Sequence, residues 1–85
     1  MSSSLPSVDP RATEVTVTDD ELIVGLADGR RIAAPLAWFP RLLRARPEER
    51  RRFEILGNGV GIHWPDVDED LSVSGLLRGE RSLSR

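Results

Sequence analysis

The residues best suited to chemistry lie in the stretch GVGIHWPDVDEDLSVSGLLRG, which runs from Gly59 to Gly79. It contains the single histidine of the chain, His63. Four carboxylates follow within a few positions: Asp66, Asp68, Glu69 and Asp70. Oxygen ligands at alternating positions suit a hard cation such as Ca²⁺ or Mg²⁺, and a histidine can act as a general base.

Both kinds of site are incomplete in the sequence. The carboxylate run lacks the glycine and the glutamate that complete an EF-hand loop, and one histidine is too little for a typical zinc site. The chain has no cysteine, and no serine stands out as a nucleophile for His63. Carboxylates stabilise the N-terminus of a helix, so Asp66–Asp70 is better explained as a loop that enters a helix capped by Asp70 or Ser72. We therefore expect no catalytic residue, no metal and no cofactor, that is, a protein that is not an enzyme.

A second cluster combines aromatic and basic side chains. Trp38 and Phe39 precede six arginines, which are Arg41, Arg44, Arg46, Arg50, Arg51 and Arg52. Tryptophan and arginine are enriched at the energetic centres of protein interfaces, whereas a basic patch beside an aromatic ring can also bind single-stranded nucleic acid. A solvated helix face is the third interpretation. The candidate protein-binding residues are Trp38, Phe39, Arg41, Arg44 and Arg51, and nucleic-acid binding by the Arg41–Arg52 face is the alternative.

Composition favours a protein partner. The chain has 85 residues with 12 basic and 14 acidic side chains, a net charge of −2. This balance disfavours general binding to nucleic acid or to a membrane surface. A chain of this size has a small core, and without disulfides it gains stability most readily by association. We expect the partner to be another protein or a second copy of the chain.

The elements that must position these residues form a small α+β fold. Alternation predicts strands over Thr13–Thr18, Glu21–Leu26 and Arg31–Ala34, with Asp28-Gly29 as a type I′ hairpin turn. A short turn over Leu36–Phe39 and helices over Pro40–Ala45 and Pro47–Arg52 follow. Phe53–Leu56 and Val60–Trp64 form a hairpin around Asn58-Gly59, and Ser72–Leu77 forms the last helix. We expect the meander and the hairpin to join in one antiparallel sheet, with Leu42 and Leu43 covering one face.

The ends of the chain carry different expectations. Residues 1–12 are rich in serine and proline and are predicted to be a disordered tail, residues 13–79 to be the single domain, and residues 80–85 to be frayed. The N-terminus has neither a basic segment nor an apolar core of a signal peptide, and no apolar run reaches the roughly 18 residues that span a bilayer. A cytoplasmic location is the expectation.

Several segments together resemble a known bacterial family. These are LADGRRIAAPLAWFPRLLRA, the PEER helix start, FEILGNGVGIHWP and DVDEDLSVSGLLRG, of which GIHWPDVDEDLSVSGLL is the most specific. The chain is identified as a member of the domain of unknown function 2442 family over about residues 13–79. The resemblance implies a small α+β domain with no assigned enzymatic activity. Some members lie in operons that resemble toxin–antitoxin pairs, so the resemblance implies an antitoxin-like partner of a second small protein. The usual serine or threonine before Pro47 is Arg46 here.

Overall fold

The computed structural model describes residues 8–81. Of the tails predicted over residues 1–12 and 80–85, residues 1–7 and 82–85 lie outside this range. Within it, six strands and three short helices follow one another, with a 3₁₀ turn at Leu36–Trp38. The strands are β1 (Ala12–Val17), β2 (Glu21–Leu26), β3 (Arg31–Pro35), β4 (Glu54–Leu56), β5 (Gly61–Trp64) and β6 (Glu69–Ser72). The helices are α1 (Pro40–Leu43), α2 (Pro47–Arg50) and α3 (Val73–Leu77).

The strands form two antiparallel sheets with the orders β1-β2-β3 and β4-β5-β6. The α+β class is confirmed, but the expected single sheet is wrong. Each sheet has one apolar face, because the strands alternate, and the two sheets bury these faces in a common core rather than pairing edge to edge. Leu22, Val24 and Leu26 come from the first sheet, and Ile62 and Trp64 come from the second. A hydrogen bond from the Ala12 amide to the Gly59 carbonyl, 2.8 Å long, ties the two sheets at one end.

The strand β6 was not predicted. Residues 66–70 were expected to form a helix-capping loop, but Glu69 and Asp70 belong to β6 and pair with Trp64 and His63 of β5. Asp68 adopts a φ of 53° in the turn that precedes this strand. The helix α3 is capped by Ser72, whose hydroxyl accepts a hydrogen bond from the Gly75 amide at 2.9 Å, and not by Asp70.

The predicted cover of the core by both leucines of α1 is half right. Leu42 is fully buried, whereas the Leu43 side chain is 45% exposed. The helix ends at Leu43 rather than at the predicted Ala45. A single turn of helix cannot direct two adjacent side chains to the same side, because successive residues lie about 100° apart around its axis.

Candidate functional site

A groove with many apolar lining residues lies between β5, β6 and α3. Its volume is about 570 Å³, and we call it the C-terminal groove. Aliphatic side chains line much of it, and polar groups close it at Asp70, Ser72, Glu80 and Arg81. The aliphatic lining residues are Leu56, Val60, Ile62, Leu71 and Leu76.

Apolar side chains remain exposed at the rim of the C-terminal groove. Val60 is 60% exposed and Leu56 is 43% exposed. Leu77, at 44% exposed, lies with Val60 beside a smaller cavity of about 160 Å³ that also involves Pro10 and Val73. Single exposed apolar residues are ordinary, but a contiguous group around a concavity is typical of a binding surface. A backbone hydrogen bond holds this rim against α3, because the Val73 amide donates to the Val60 carbonyl at 3.0 Å.

Asp70 connects the C-terminal groove to the only histidine. His63 and Asp70 are opposite each other on β5 and β6, and the His63 Nδ1 atom lies 2.6 Å from Asp70 Oδ1. Glu54 flanks His63 on its other side, on β4. This pair was not predicted from the sequence, because Asp70 was expected to lie in a loop. No alternation of apolar and polar residues marks Glu69–Ser72 as a strand, because the charged Glu69 takes an inward position that an apolar residue normally fills.

The carboxylates that were considered as metal ligands turn in different directions. Asp66 pairs with Arg52 at 3.0 Å, Asp70 pairs with His63, and Glu69 is buried with one oxygen 4.0 Å from the Arg41 guanidinium. Strand alternation separates Glu69 from Asp70 onto opposite faces. In residues 8–81 no three His, Cys, Asp or Glu side chains lie together in a way that could hold a metal ion.

The described residues place no candidate nucleophile in hydrogen-bond contact with His63. The hydroxyl nearest in the strand register belongs to Ser72, which lies opposite Gly61, accepts from the Gly75 amide and makes no hydrogen bond to His63. His63 and Asp70 have the chemistry of a base and its orienting carboxylate, but no hydroxyl in residues 8–81 is hydrogen-bonded to His63 as a nucleophile. The arrangement acts as a cross-strand polar pair on the outer face of the second sheet.

The candidate protein-binding residues do not form one surface. Phe39, the N-cap residue of α1, is fully buried in the core, so its ring is not accessible to a partner, whereas Trp38 is partly exposed. Trp38 lies under Arg81, whose guanidinium carbon is 4.6 Å from the centre of the indole ring. Since Arg81 also lines the C-terminal groove, this contact connects Trp38 to that groove.

Most arginines of the Arg41–Arg52 face form hydrogen bonds or ion pairs with other groups of the same domain. Arg41 donates to the Asp68 carbonyl at 2.6 Å, and Arg52 pairs with Asp66. Arg50 donates to the carbonyls of Leu42 and Leu43, at 3.0 and 2.9 Å.

The remaining arginines lie at the ends of the short helices. Arg46 pairs with Glu48 and Glu49, each at 3.5 Å. Arg44 occupies the exposed C-cap position of α1. Arg51 is exposed in a separate cleft beside β1.

No helix in the described range 8–81 combines the length and the apolar character needed to cross a membrane. This finding leaves the expectation of a cytoplasmic location as a prediction.

Comparison with known proteins finds a family whose members resemble this chain. The model of a family described as "Protein of unknown function (DUF2442)" matches residues 12–82. A comparison with curated proteins finds no match.

Two solved structures share the fold with a TM-score of 0.72 each. A protein of unknown function from Rhodospirillum rubrum is 33% identical, over 87% of this chain and 92% of its own. An uncharacterised protein from Chromobacterium violaceum is 26% identical, over 87% of this chain and 70% of its own.

Proposed function

The chain belongs to this family of unknown function, and we propose that it is a non-enzymatic protein-interaction module that binds a partner protein through the C-terminal groove. The observation that carries the proposal is the set of exposed aliphatic side chains around that groove, with Val60 at 60% exposed. Burial of apolar surface is the main favourable term in protein association. A partner segment with aliphatic side chains would fill the groove, and Asp70 and Arg81 would set its orientation.

Trp38 extends the proposed contact surface. The indole ring is partly exposed, and Arg81 holds it next to the groove through a cation–π contact at 4.6 Å. Aromatic and arginine side chains at the border of an apolar patch are frequent interface residues. The partner in this proposal is a second small protein encoded by a neighbouring gene, for which this chain acts as the antitoxin-like half.

Nucleic-acid binding by the Arg41–Arg52 face is the weaker candidate. Phosphate contacts need guanidinium groups that can turn toward the ligand. Arg41, Arg50 and Arg52 donate to carbonyls or carboxylates of their own fold. Binding a phosphate would therefore break contacts that stabilise the domain.

Co-expression with the neighbouring gene product tests the proposal. We expect the two proteins to elute as one complex of fixed stoichiometry in size-exclusion chromatography with light scattering. A parallel titration with mixed RNA and DNA at physiological salt should give only the weak, non-specific affinity of about 10⁻⁴–10⁻⁶ M. Separate elution of the two proteins together with tighter, salt-dependent nucleic-acid binding would replace this proposal with the weaker candidate.

A further inference from the structure

The longest uncovered strand edge belongs to β1, on a different part of the molecule from the C-terminal groove. β1 pairs with β2 alone in the described chain, so its other side is an edge of the first sheet. A cleft of about 680 Å³ opens along that edge. One wall is the end of β1 with the two residues that follow it, from Val15 to Asp19, and the other contains Pro47, Arg50, Arg51 and Phe53.

The hydrogen-bonding pattern of β1 shows which backbone groups face the cleft. The Thr18 amide donates to the Glu21 carbonyl at 2.9 Å next to the turn. Hydrogen-bonded and non-hydrogen-bonded pairs alternate along an antiparallel ladder. The pair of Thr16 with Ile23 is therefore hydrogen-bonded, and the pairs of Val15 with Val24 and of Val17 with Leu22 are not. The amides and carbonyls of Val15 and Val17 thus point outward, to the open edge.

We infer that a second copy of this chain occupies this edge, by antiparallel pairing of β1 with β1 about a two-fold axis at Thr16. The sequence around this residue is nearly symmetric, Glu-Val-Thr-Val-Thr over residues 14–18. In this register Val15 of each copy faces Val17 of the other, and their outward amides and carbonyls satisfy one another. The β1-β2-β3 sheets of the two copies then form one continuous six-stranded sheet.

The side chains are compatible with this register. Thr16 faces its own counterpart, and paired threonines and paired β-branched residues are favourable across antiparallel strands. Glu14 faces Thr18 and Thr13 faces Asp19, so no two like charges are placed opposite each other. Val15 and Val17 are half-buried, and a second copy would cover them together with Phe53 in the cleft wall.

Other edges are less suited to this pairing. β4 has three residues and β6 has four before the chain enters α3. β3 ends at Pro35, which has no amide hydrogen to donate. β1 offers six residues and no proline. An edge strand without such protection is a template for association.

Single cysteines test the register, because the natural chain has none. In Thr16→Cys the two Cα atoms on the axis would lie about 4.5 Å apart, within the range of a disulfide. In the control Thr13→Cys, another exposed threonine of β1, the two positions would be roughly 20 Å apart, from the rise of about 3.4 Å per residue. Mild oxidation should cross-link Thr16→Cys at least about ten-fold faster than Thr13→Cys. Equal rates, or no cross-link in either variant, would overturn the inference.

A backbone variant gives an independent measurement. Val15→Pro removes one outward amide but none of the bonds to β2, which edge strands tolerate. Sedimentation equilibrium should show a dimer for the natural chain and at least about a ten-fold weaker dimer for Val15→Pro, as expected for lost hydrogen bonds. A monomeric natural chain would refute the second copy. Because the cleft and the C-terminal groove share no lining residue, this result leaves the proposed function standing or falling on its own test.

Discussion

Glu69 is a buried charged side chain with little compensation. It is 3% exposed, its Oε1 atom lies 4.0 Å from the Arg41 guanidinium, and its Oε2 atom has no hydrogen-bond partner within the described residues. The cost of removing a carboxylate from water is repaid only by close, well-directed partners. The geometry indicates that Glu69 does not stabilise the fold through its charge.

We therefore predict that Glu69→Met leaves the free energy of unfolding unchanged or raises it by about 1 kcal/mol, since a buried ionic group replaced by an apolar one of similar size is often neutral or stabilising. Arg41 is partly exposed and keeps its bond to the Asp68 carbonyl. Urea unfolding measures the change. A loss of stability above about 2 kcal/mol, as for a broken buried network, would mean that Glu69 has a partner in solution.

Gly59 illustrates a position that the backbone alone determines. Its φ is +103°, and a Cβ atom there would lie 2.8 Å from the backbone nitrogen and oxygen of Ala12. We predict that Gly59→Ala destabilises the protein by about 3 kcal/mol or more, from backbone strain of about 1–3 kcal/mol plus the clash. The control is Gly29→Ala, which has a φ of +94° but nothing within 4 Å of the added atom. Equal losses in the two variants would contradict the close approach of the two sheets.

Asp28 links acid stability to the β2–β3 turn. Its pKa is lowered from the usual 3.8, chiefly by the Asp9 amide that donates to it, and further by the amide and side chain of Arg30. A carboxyl whose folded pKa is depressed adds stability above its unfolded pKa and loses it as the pH falls through the folded value. Urea midpoints should thus fall below about pH 4, and less steeply in Asp28→Asn. Identical acid profiles would refute this role.

At the scale of elements, the periodic signals were sufficient where one strand face is apolar. β1, β2, β3 and β5 lie within one residue of their predicted bounds, and Ile62 and Trp64 share the buried face opposite His63. The turn chemistry was predicted less exactly. Gly29 has a positive φ but Asp28 does not, so the predicted type I′ turn at this position is wrong. In the second hairpin the positive φ values extend from Gly57 through Asn58 to Gly59.

The missed elements have a common physical cause. The strand β6 is short and contains two acidic residues. It forms a strand because it pairs with β5, and local sequence does not encode that pairing. The separation into two sheets likewise depends on which apolar faces meet. The C-terminal groove was missed for the same reason, since its lining residues, which all lie between Leu56 and Arg81, come together only when β6 pairs with β5.

Arg50, a residue of the Arg41–Arg52 face, connects several elements of the fold through hydrogen bonds. Its guanidinium donates to the last carbonyls of α1, and its own carbonyl accepts from the Trp64 indole nitrogen at 3.0 Å. Arg50 is 11% exposed, and it also contacts Asp19 at 3.4 Å. One side chain thus connects α1, α2 and the β1–β2 turn.

We predict that Arg50→Met lowers the free energy of unfolding by about 2 kcal/mol, the value typical of hydrogen bonds to a charged group. The side chain of the adjacent Arg51 is exposed and makes no hydrogen bond or ion pair within the described residues, where only its backbone amide donates, to the Pro47 carbonyl at 3.2 Å. Arg51→Met should therefore change the free energy of unfolding by less than about 0.5 kcal/mol. Thermal unfolding at low protein concentration compares the two. Similar losses of unfolding free energy in the two variants would indicate that the arginines of the Arg41–Arg52 face act through their total charge.

At the scale of the whole molecule, we propose two separate surfaces for association. The C-terminal groove would offer apolar side chains to a partner, and the β1 edge would offer backbone groups to a second copy. The net charge of −2 and the internal engagement of the arginines both favour protein over nucleic acid as the partner. A small domain with a marginal core gains stability from either association.

The affinity of the neighbouring gene product for groove variants, measured by calorimetry, tests the central claim most directly. Val60→Asp places a charge on the exposed rim, and Leu43→Asp is the matched control, because Leu43 is also an exposed aliphatic side chain, at 45%, but lies outside the groove. We predict that Val60→Asp weakens binding at least about ten-fold, equal to about 1.4 kcal/mol, while Leu43→Asp binds as the natural chain does. Unchanged affinity for Val60→Asp in a folded protein, or an equal loss in Leu43→Asp, would contradict the groove as the binding site.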